Sequence, residues 1–185
     1  MGQIKPPTPA KLFIGMIFGP APMKSGPTGY FFDIEKELEK QFGAIDLKSP
    51  VFDFTFTDYY KPEMGGGLKK IFFSFRNLIS PQEIVSVKIA TNRLEETYRL
   101  PQPVDGISRP INLDPGYLDG SKLVLASTKN YAHRIYLNNG IYAEITFLYS
   151  KNQFHPLPWT YPDYQTEPYL IFFQQVRTTC LTQLK

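Results

Sequence analysis

His133 and Glu144 stand on either side of Asn139-Gly140, a dipeptide that favours a two-residue hairpin turn. With Asn138 opposite Ile141, Ile135 falls opposite Glu144 and His133 opposite Thr146. His133, Glu144 and Thr146 then share one face, with His133 and Glu144 as diagonal neighbours. A carboxylate beside an imidazole raises its pKa and fixes its tautomer, which equips the pair for proton transfer or for part of a metal site. A solvated cross-strand pair is the plainer alternative. The same register sends Arg134, Tyr136, Ala143 and Ile145 to the opposite face.

Other residues carry chemistry of their own. Lys122, Ser127, Thr128, Lys129 and Arg134 gather positive charge and hydroxyls around the hairpin, where Lys129 and Arg134 could hold a phosphate or carboxylate. In Asn112-x-Asp114-Pro115-Gly116 the Pro-Gly pair signals a turn and places Asp114 at a strand end. The run Asp58 to Gly67 holds Asp58, Glu63 and three consecutive glycines, consistent with a lid over a pocket or with a plain loop. Oxygen ligands from Asn112, Asp114, Asp58, Glu63 and Glu144 suit magnesium better than zinc, with Asp58, Asp114 and Glu144 as the metal set. Trp159 and Tyr161, in WTYPDY, could stack on a base or sugar, or could clamp the C-terminal segment onto the sheet.

Several classes are excluded or disfavoured. The first apolar run leads into Gly19-Pro-Ala-Pro-Met-Lys24-Ser25, the right place for a phosphate-binding loop. The pattern is one residue short, lacks the Gly before Lys, and Pro20 and Pro22 remove two N–H donors. The guanine-reading Asn-Lys-x-Asp is absent, as are G-x-S-x-G and H-E-x-x-H. One cysteine, Cys180, rules out an internal disulfide, and two histidines make a multi-His zinc site improbable. A net charge of +3 leaves no footprint for nucleic acid. No run of apolar residues is long enough for a transmembrane helix, and the Pro-rich start lacks the apolar stretch of a signal peptide.

The elements that must position these residues follow from periodicity. Lys11 to Phe18 reads as a buried strand. Phe31, Ile34, Leu38 and Phe42 mark an amphipathic helix closed by Gly43. Val51 to Thr57 alternates as a strand with Phe52, Phe54 and Phe56 on one face, and Leu68 to Phe75 is a second. Ser80-Pro81-Gln82-Glu83 starts a helix with Ile84, Val87, Thr91 and Leu94 on its apolar face. Ile111 to Leu113, Lys122 to Ser127 and the hairpin Tyr131 to Tyr149 are further strands, and a last helix begins at Thr166-Glu167-Pro168. At 185 residues, 42% hydrophobic and rich in Tyr and Phe, the chain is the size of one α+β domain with a sizeable core. The expected architecture is a mostly antiparallel sheet with two to three helices over residues 1–185. It has a ferredoxin-like βαββαβ core, a hairpin extension and a lead-in over residues 1–9.

The stretches FDFTFTDYYKPEMG (Phe52 to Gly65), INLDPGYL (Ile111 to Leu118), KLVLASTKNYAHRIYL (Lys122 to Leu137), GIYAEITFLY (Gly140 to Tyr149) and PLPWTYPDY (Pro156 to Tyr164), with the opening KLFIGMI, resemble a bacterial family catalogued as domain of unknown function 4416. The resemblance spans roughly Pro9 to Leu184. Its members are sometimes labelled GTP-binding proteins, and it implies no settled activity.

From the residues, the leading expectation is a cytoplasmic domain that binds a small anionic ligand such as a nucleotide or phosphorylated metabolite. A magnesium-dependent phosphotransfer or hydrolase enzyme using Asp58, Asp114 and Glu144 is one alternative, and His133 with Glu144 are the candidate catalytic residues for moving a proton. A non-catalytic RNA- or protein-interaction module is another. Whether the chain is an enzyme, and its oligomeric state, the residues leave open.

Overall fold

A computed structural model describes residues 2–19, 29–104 and 106–185. The segment from Pro20 to Thr28, which holds Lys24 and Ser25 of the pattern that departs from a phosphate-binding loop, lies outside the described residues.

The strands are β1 (Ala10–Phe18), β2 (Ile45–Lys48), β3 (Phe52–Asp53), β4 (Lys69–Ile79), β5 (Ile111–Leu118), β6 (Lys122–Ser127), β7 (Ile135–Asn138), β8 (Ile141–Ser150) and β9 (Gln153–Pro156). The helices are α1 (Gly29–Phe42), a single turn α2 (Lys61–Met64), α3 (Ile84–Tyr98) and α4 (Glu167–Gln183). All pairings are antiparallel, in the order β2-β4-β1-β5-β6-β8-β7, with β3 on β4 and β9 on β8. The chain is an α+β domain built on one mostly antiparallel sheet. Residues 2–9 are exposed and enter no regular element.

The central strand β1 is buried on both faces, and its alternation sorts the two cores. Leu12, Ile14 and Met16 face α1 and α3, meeting Ile34, Leu38, Ile84, Val87 and Leu94. Phe13 faces the other way, onto α4, where Tyr169, Phe172, Phe173 and Val176 surround it. Helices thus cover both faces, and β1 alternates between two apolar environments. The start of α3 follows its sequence signal: the Ser80 N–H donates to Glu83 Oε2 at 2.6 Å. At the far end of β1, buried Lys11 is paired with Asp46 of β2 and donates to Gln183 Oε1 of α4 at 2.7 Å.

Two local expectations are corrected and two strands are added. Regular pairing in Val51 to Thr57 stops after Asp53, because Phe54 turns into a small cluster with Ile17, Met64 and Leu68 while Phe56 is left exposed. The segment Ile45–Lys48 pairs with β4 and was not marked by alternation. Lys151 and Asn152 take positive φ of 49° and 63° and turn the chain back into β9, so His155 lies on a strand. Most consequential, Pro115-Gly116 is no turn: β5 runs through it, with Pro115 opposite Ile14 and Gly116 opposite Phe13.

That last feature shapes the molecule. Pairing of β5 with β6 covers only Gly116 to Leu118, facing Leu125 to Leu123. From Ile111 to Pro115, β5 pairs with β1 alone, while β6 continues to Ser127 on β8. Proline has no N–H to extend a ladder, and the sheet splits between β5 and β6 at Pro115. Gly116 is required at the crotch of the split, since a Cβ there would lie 2.5 Å from both Phe13 Cζ and the Val124 carbonyl oxygen. Gly116→Ala should therefore destabilise the fold by about 1–3 kcal/mol through overpacking against a backbone atom. Urea unfolding checks this; an unchanged midpoint would refute the account.

Candidate functional site

The split opens into a cavity of about 790 Å³. One side is walled by α3 through Lys88, Asn92 and Glu95, and the floor by Ile17, Lys70, Asn112, Asp114 and Leu125 from the strands. The other side is walled by Ser127 to Lys129, Tyr131, His133, Arg134 and the loop from Trp159 to Tyr164. Tyr59, Tyr60 and Glu63, around α2, close the rim.

The hairpin holds the densest chemistry, in a register that differs from the expected one. Tyr136 pairs with Tyr142 and Asn138 with Ile141, so Leu137 is an extra residue in β7. His133 lies in a turn just before β7, closed by the Arg134 N–H to the Tyr131 carbonyl at 2.9 Å. Period-two alternation therefore fails, and Arg134 joins His133 on Glu144 instead of pointing away. Arg134 Nε donates to Glu144 Oε2 at 2.6 Å, and His133 Nε2 meets the same oxygen at 3.0 Å. Arg134 Nη1 donates to Ser127 Oγ at 2.9 Å and to the Lys129 carbonyl at 3.0 Å, and Nη2 to the Tyr161 hydroxyl at 2.7 Å. Its guanidinium also lies over the Tyr131 ring. Burial works against the Arg134 charge, but the hydrogen bond to Glu144 and its Tyr161 partner more than offset it and keep the pKa above the ordinary arginine value. Burial also pushes the Tyr161 phenol up, and the Glu144 charge adds to that.

Glu144 itself is 2% exposed. Its second oxygen, Oε1, accepts no hydrogen bond among the described residues. The rings of Tyr131, His133 and Trp159 lie nearly parallel, at 5° and 11°, and Trp159 Nε1 donates to the Ile145 carbonyl at 2.8 Å. The WTYPDY segment divides its work. Tyr164 is buried against Phe173 and Asp163 pairs with buried Lys70 at 2.5 Å, which docks the segment, while Trp159 and Tyr161 remain partly exposed on the cavity wall.

Across the cavity a second polar network joins α3 to β5. Arg109 Nη2 donates to Glu95 Oε2 at 2.6 Å and to Asn112 Oδ1, and its Nη1 lies 3.6 Å from Glu63. Asn112 Nδ2 donates to Asp114 Oδ2 at 2.6 Å, and Lys88 Nζ lies 3.5 Å from Asp114 Oδ1. Burial raises the Glu95 pKa, with Lys88 and Arg109 opposing it. Burial likewise raises the Tyr60 phenol, reinforced by Asp114, so Tyr60 stays neutral.

Of the residues singled out in the sequence, Glu63, Asn112, Asp114, Ser127, Thr128, Lys129, His133, Arg134, Glu144, Trp159 and Tyr161 line this one cavity. Asp58 and Lys122 do not. Asp58 is an exposed partner of Lys61, and Lys122 pairs with Asp119 in the β5–β6 turn at the other end of β6. Asp58, Asp114 and Glu144 therefore form no common coordination sphere, and among the described residues no group of three His, Cys, Asp or Glu side chains is placed to hold a metal. The 58–67 segment is tied down: Met64 is fully buried, and the Ser108 and Arg109 N–H groups both donate to the Glu63 carbonyl at 3.0 Å. Gly65 and Gly67 take positive φ to turn the chain, and none of the three glycines lines the cavity. The residues missed from sequence are Lys70, Lys88, Glu95 and Arg109. Lys88 and Glu95 had a signal, being seven apart beside the apolar stripe of α3.

A family model described as domain of unknown function 4416 matches residues 9–179. The chain belongs to that family. Comparisons with curated proteins and with solved structures gave no significant match. No helix of this family member, among the described residues, is long and apolar enough to cross a membrane.

Two consequences can be measured. Removing Arg134 leaves Glu144 buried without a counter-charge, so Arg134→Met should destabilise by about 3–5 kcal/mol. Denaturant unfolding would show a loss under 1 kcal/mol if the pair were not buried as described. At the β5–β6 turn, burial works against the Asp119 carboxylate, but hydrogen bonds from Lys122 and Ser121 outweigh it and hold its pKa below the ordinary aspartate value. A depressed folded pKa contributes stability that is present above the unfolded value and lost as pH falls through the folded one. The stability difference between wild type and Asp119→Asn should thus shrink as pH drops below about 4. A difference constant from pH 6 to pH 2.5 would contradict this.

Proposed function

We propose that this domain binds a small anionic ligand in the cavity at the β5–β6 split, with the anionic group at Lys129. The volume lies in the range of small-molecule sites, which are concave, largely aromatic or apolar, and carry a few placed polar groups. The observation that carries the reading is a charge left over. Lys70 pairs with Asp163, Lys88 with Asp114, Arg99 with Glu96, Arg109 with Glu95 and Glu63, and Arg134 with Glu144. Among the described residues Lys129 is the lining cation with no carboxylate partner. Its ammonium donates to the Tyr59 hydroxyl at 2.7 Å and lies over that ring. A phosphate or carboxylate at this rim would meet a cation that no internal acid neutralises. A nucleotide or phosphorylated metabolite supplies such a group, and the aromatic walls suit the rest of it.

A second reading, a protein-interaction module, is favoured by β7, an edge strand whose Ile135, Tyr136 and Leu137 are all exposed. The magnesium-dependent reading has no corresponding support in the placement of Asp58.

The test is calorimetric titration of the purified protein with 5′-nucleotides and sugar phosphates, each with magnesium and with chelator. Lys129→Met should weaken binding of any hit about tenfold or more and leave the unfolding midpoint in place, since the side chain is exposed. A Lys129→Met variant that binds as tightly as wild type would remove the anion from this position. No heat with any compound would favour the interaction module, with Ile135→Lys tested for loss of self-association or partner capture.

A further inference from the structure

The orphaned oxygen of Glu144 limits what the ligand can be. A buried carboxylate oxygen without a hydrogen bond is costly, and such groups in folded proteins are nearly always satisfied. Both donors that reach Glu144, Arg134 Nε and His133 Nε2, go to Oε2, leaving Oε1 free. The residue lines the cavity. Lys129, whose ammonium is the proposed anion position, lines the same cavity, and its main-chain carbonyl accepts from the guanidinium that holds Glu144 Oε2.

Resting on the anion reading above, we propose that Glu144 Oε1 is the specificity acceptor of the site and takes a hydrogen bond from an N–H of a planar heterocycle carried by the ligand. The site would then bind a nucleobase-type ring that bears an in-plane donor and is joined to an anionic group. The His133 and Trp159 rings stack on each other at 11° beside Glu144, and a planar heterocycle would extend that stack. A sugar hydroxyl is the rival donor, and a sugar phosphate without a base separates the two.

Glu144→Gln is informative because the rest of the site fixes how the amide must point. Arg134 and His133 both donate, so the glutamine carbonyl oxygen must take the Oε2 place and the NH2 the Oε1 place. The position changes from acceptor to donor with almost no change in shape.

Calorimetry would use wild type, Glu144→Gln and Lys129→Met against the 5′-monophosphates of adenosine, guanosine, cytidine and uridine, with ribose 5-phosphate as the base-free control. The expected result is one or more nucleotides binding wild type at least about tenfold tighter than ribose 5-phosphate. That margin should collapse in Glu144→Gln, while Lys129→Met should weaken nucleotides and ribose 5-phosphate by the same factor. Ribose 5-phosphate binding as tightly as the best nucleotide would overturn the specificity role and leave the anion reading standing. No binding by any of the five would overturn both. Should Glu144→Gln fail to fold by circular dichroism, wild type is titrated with the best nucleotide and with its analogue methylated at the base N–H. Equal affinity for the two would overturn the proposal, and a loss of tenfold or more would support it.

Discussion

The parting of β5 from β6 at Pro115 is the constraint on which the site depends. A sheet closed along this ladder would bring β6 against Asn112 and Asp114 and leave no room between them. Instead pairing ends at Gly116, where Phe13 and the Val124 carbonyl leave no space for a side chain. Below that point β5 is held by β1 and β6 by β8. Opposite directions of support keep the gap open without help from a ligand. Helix α3 reaches the gap from one face and the Trp159–Tyr164 loop from the other, so the cavity is a property of the whole sheet and not of one loop.

A gap in a sheet exposes polar backbone and side chains to partial burial, and the structure answers with pairs. Buried charges are tolerated when each is compensated and hydrogen-bonded. Lys70 shows this most fully, with Asp163 at 2.5 Å and the rings of Phe54, Phe72, Tyr164 and Tyr169 around its ammonium. Lys70, Lys88, Arg109 and Arg134 serve first as internal ties between elements far apart in sequence. Lys129 and Glu144 Oε1 stand out because that description fails for them: one is a cation with no acid, the other an acceptor with no donor.

What was legible in the sequence was local. The Asn139-Gly140 turn, the Ser80–Glu83 helix start and the apolar faces of α3 and α4 all act within a few residues, and they are present. Asn112, Asp114, Lys129, His133, Glu144, Trp159 and Tyr161 were legible one by one as candidates, but that they line one cavity follows from the fold. What failed was long-range. Pro115-Gly116 carries a strong turn signal, overridden because Phe13, about a hundred residues earlier, needs the space that glycine leaves. Leu137 sits as an extra residue between two ordinary pairs, and alternation cannot foresee an insertion set by how β8 already pairs with β6. That single residue, with the turn before β7, moves Arg134 from the wrong face onto Glu144.

The charge arrangement also bears on how much negative charge a bound ligand can carry. Among the described residues that line the cavity, Lys129 is the cation without a carboxylate partner, the others being paired. A polyphosphate chain would find no second unpaired cation among the described lining residues to meet its further charges. A group with one or two negative charges fits the rim without breaking an existing pair. Breaking one would leave a buried carboxylate alone, at a cost of about 3–5 kcal/mol, more than an added phosphate contact with a solvated amine returns. On this reading, the same compensation that lets the sheet open also favours a singly phosphorylated or carboxylated ligand over a polyphosphate.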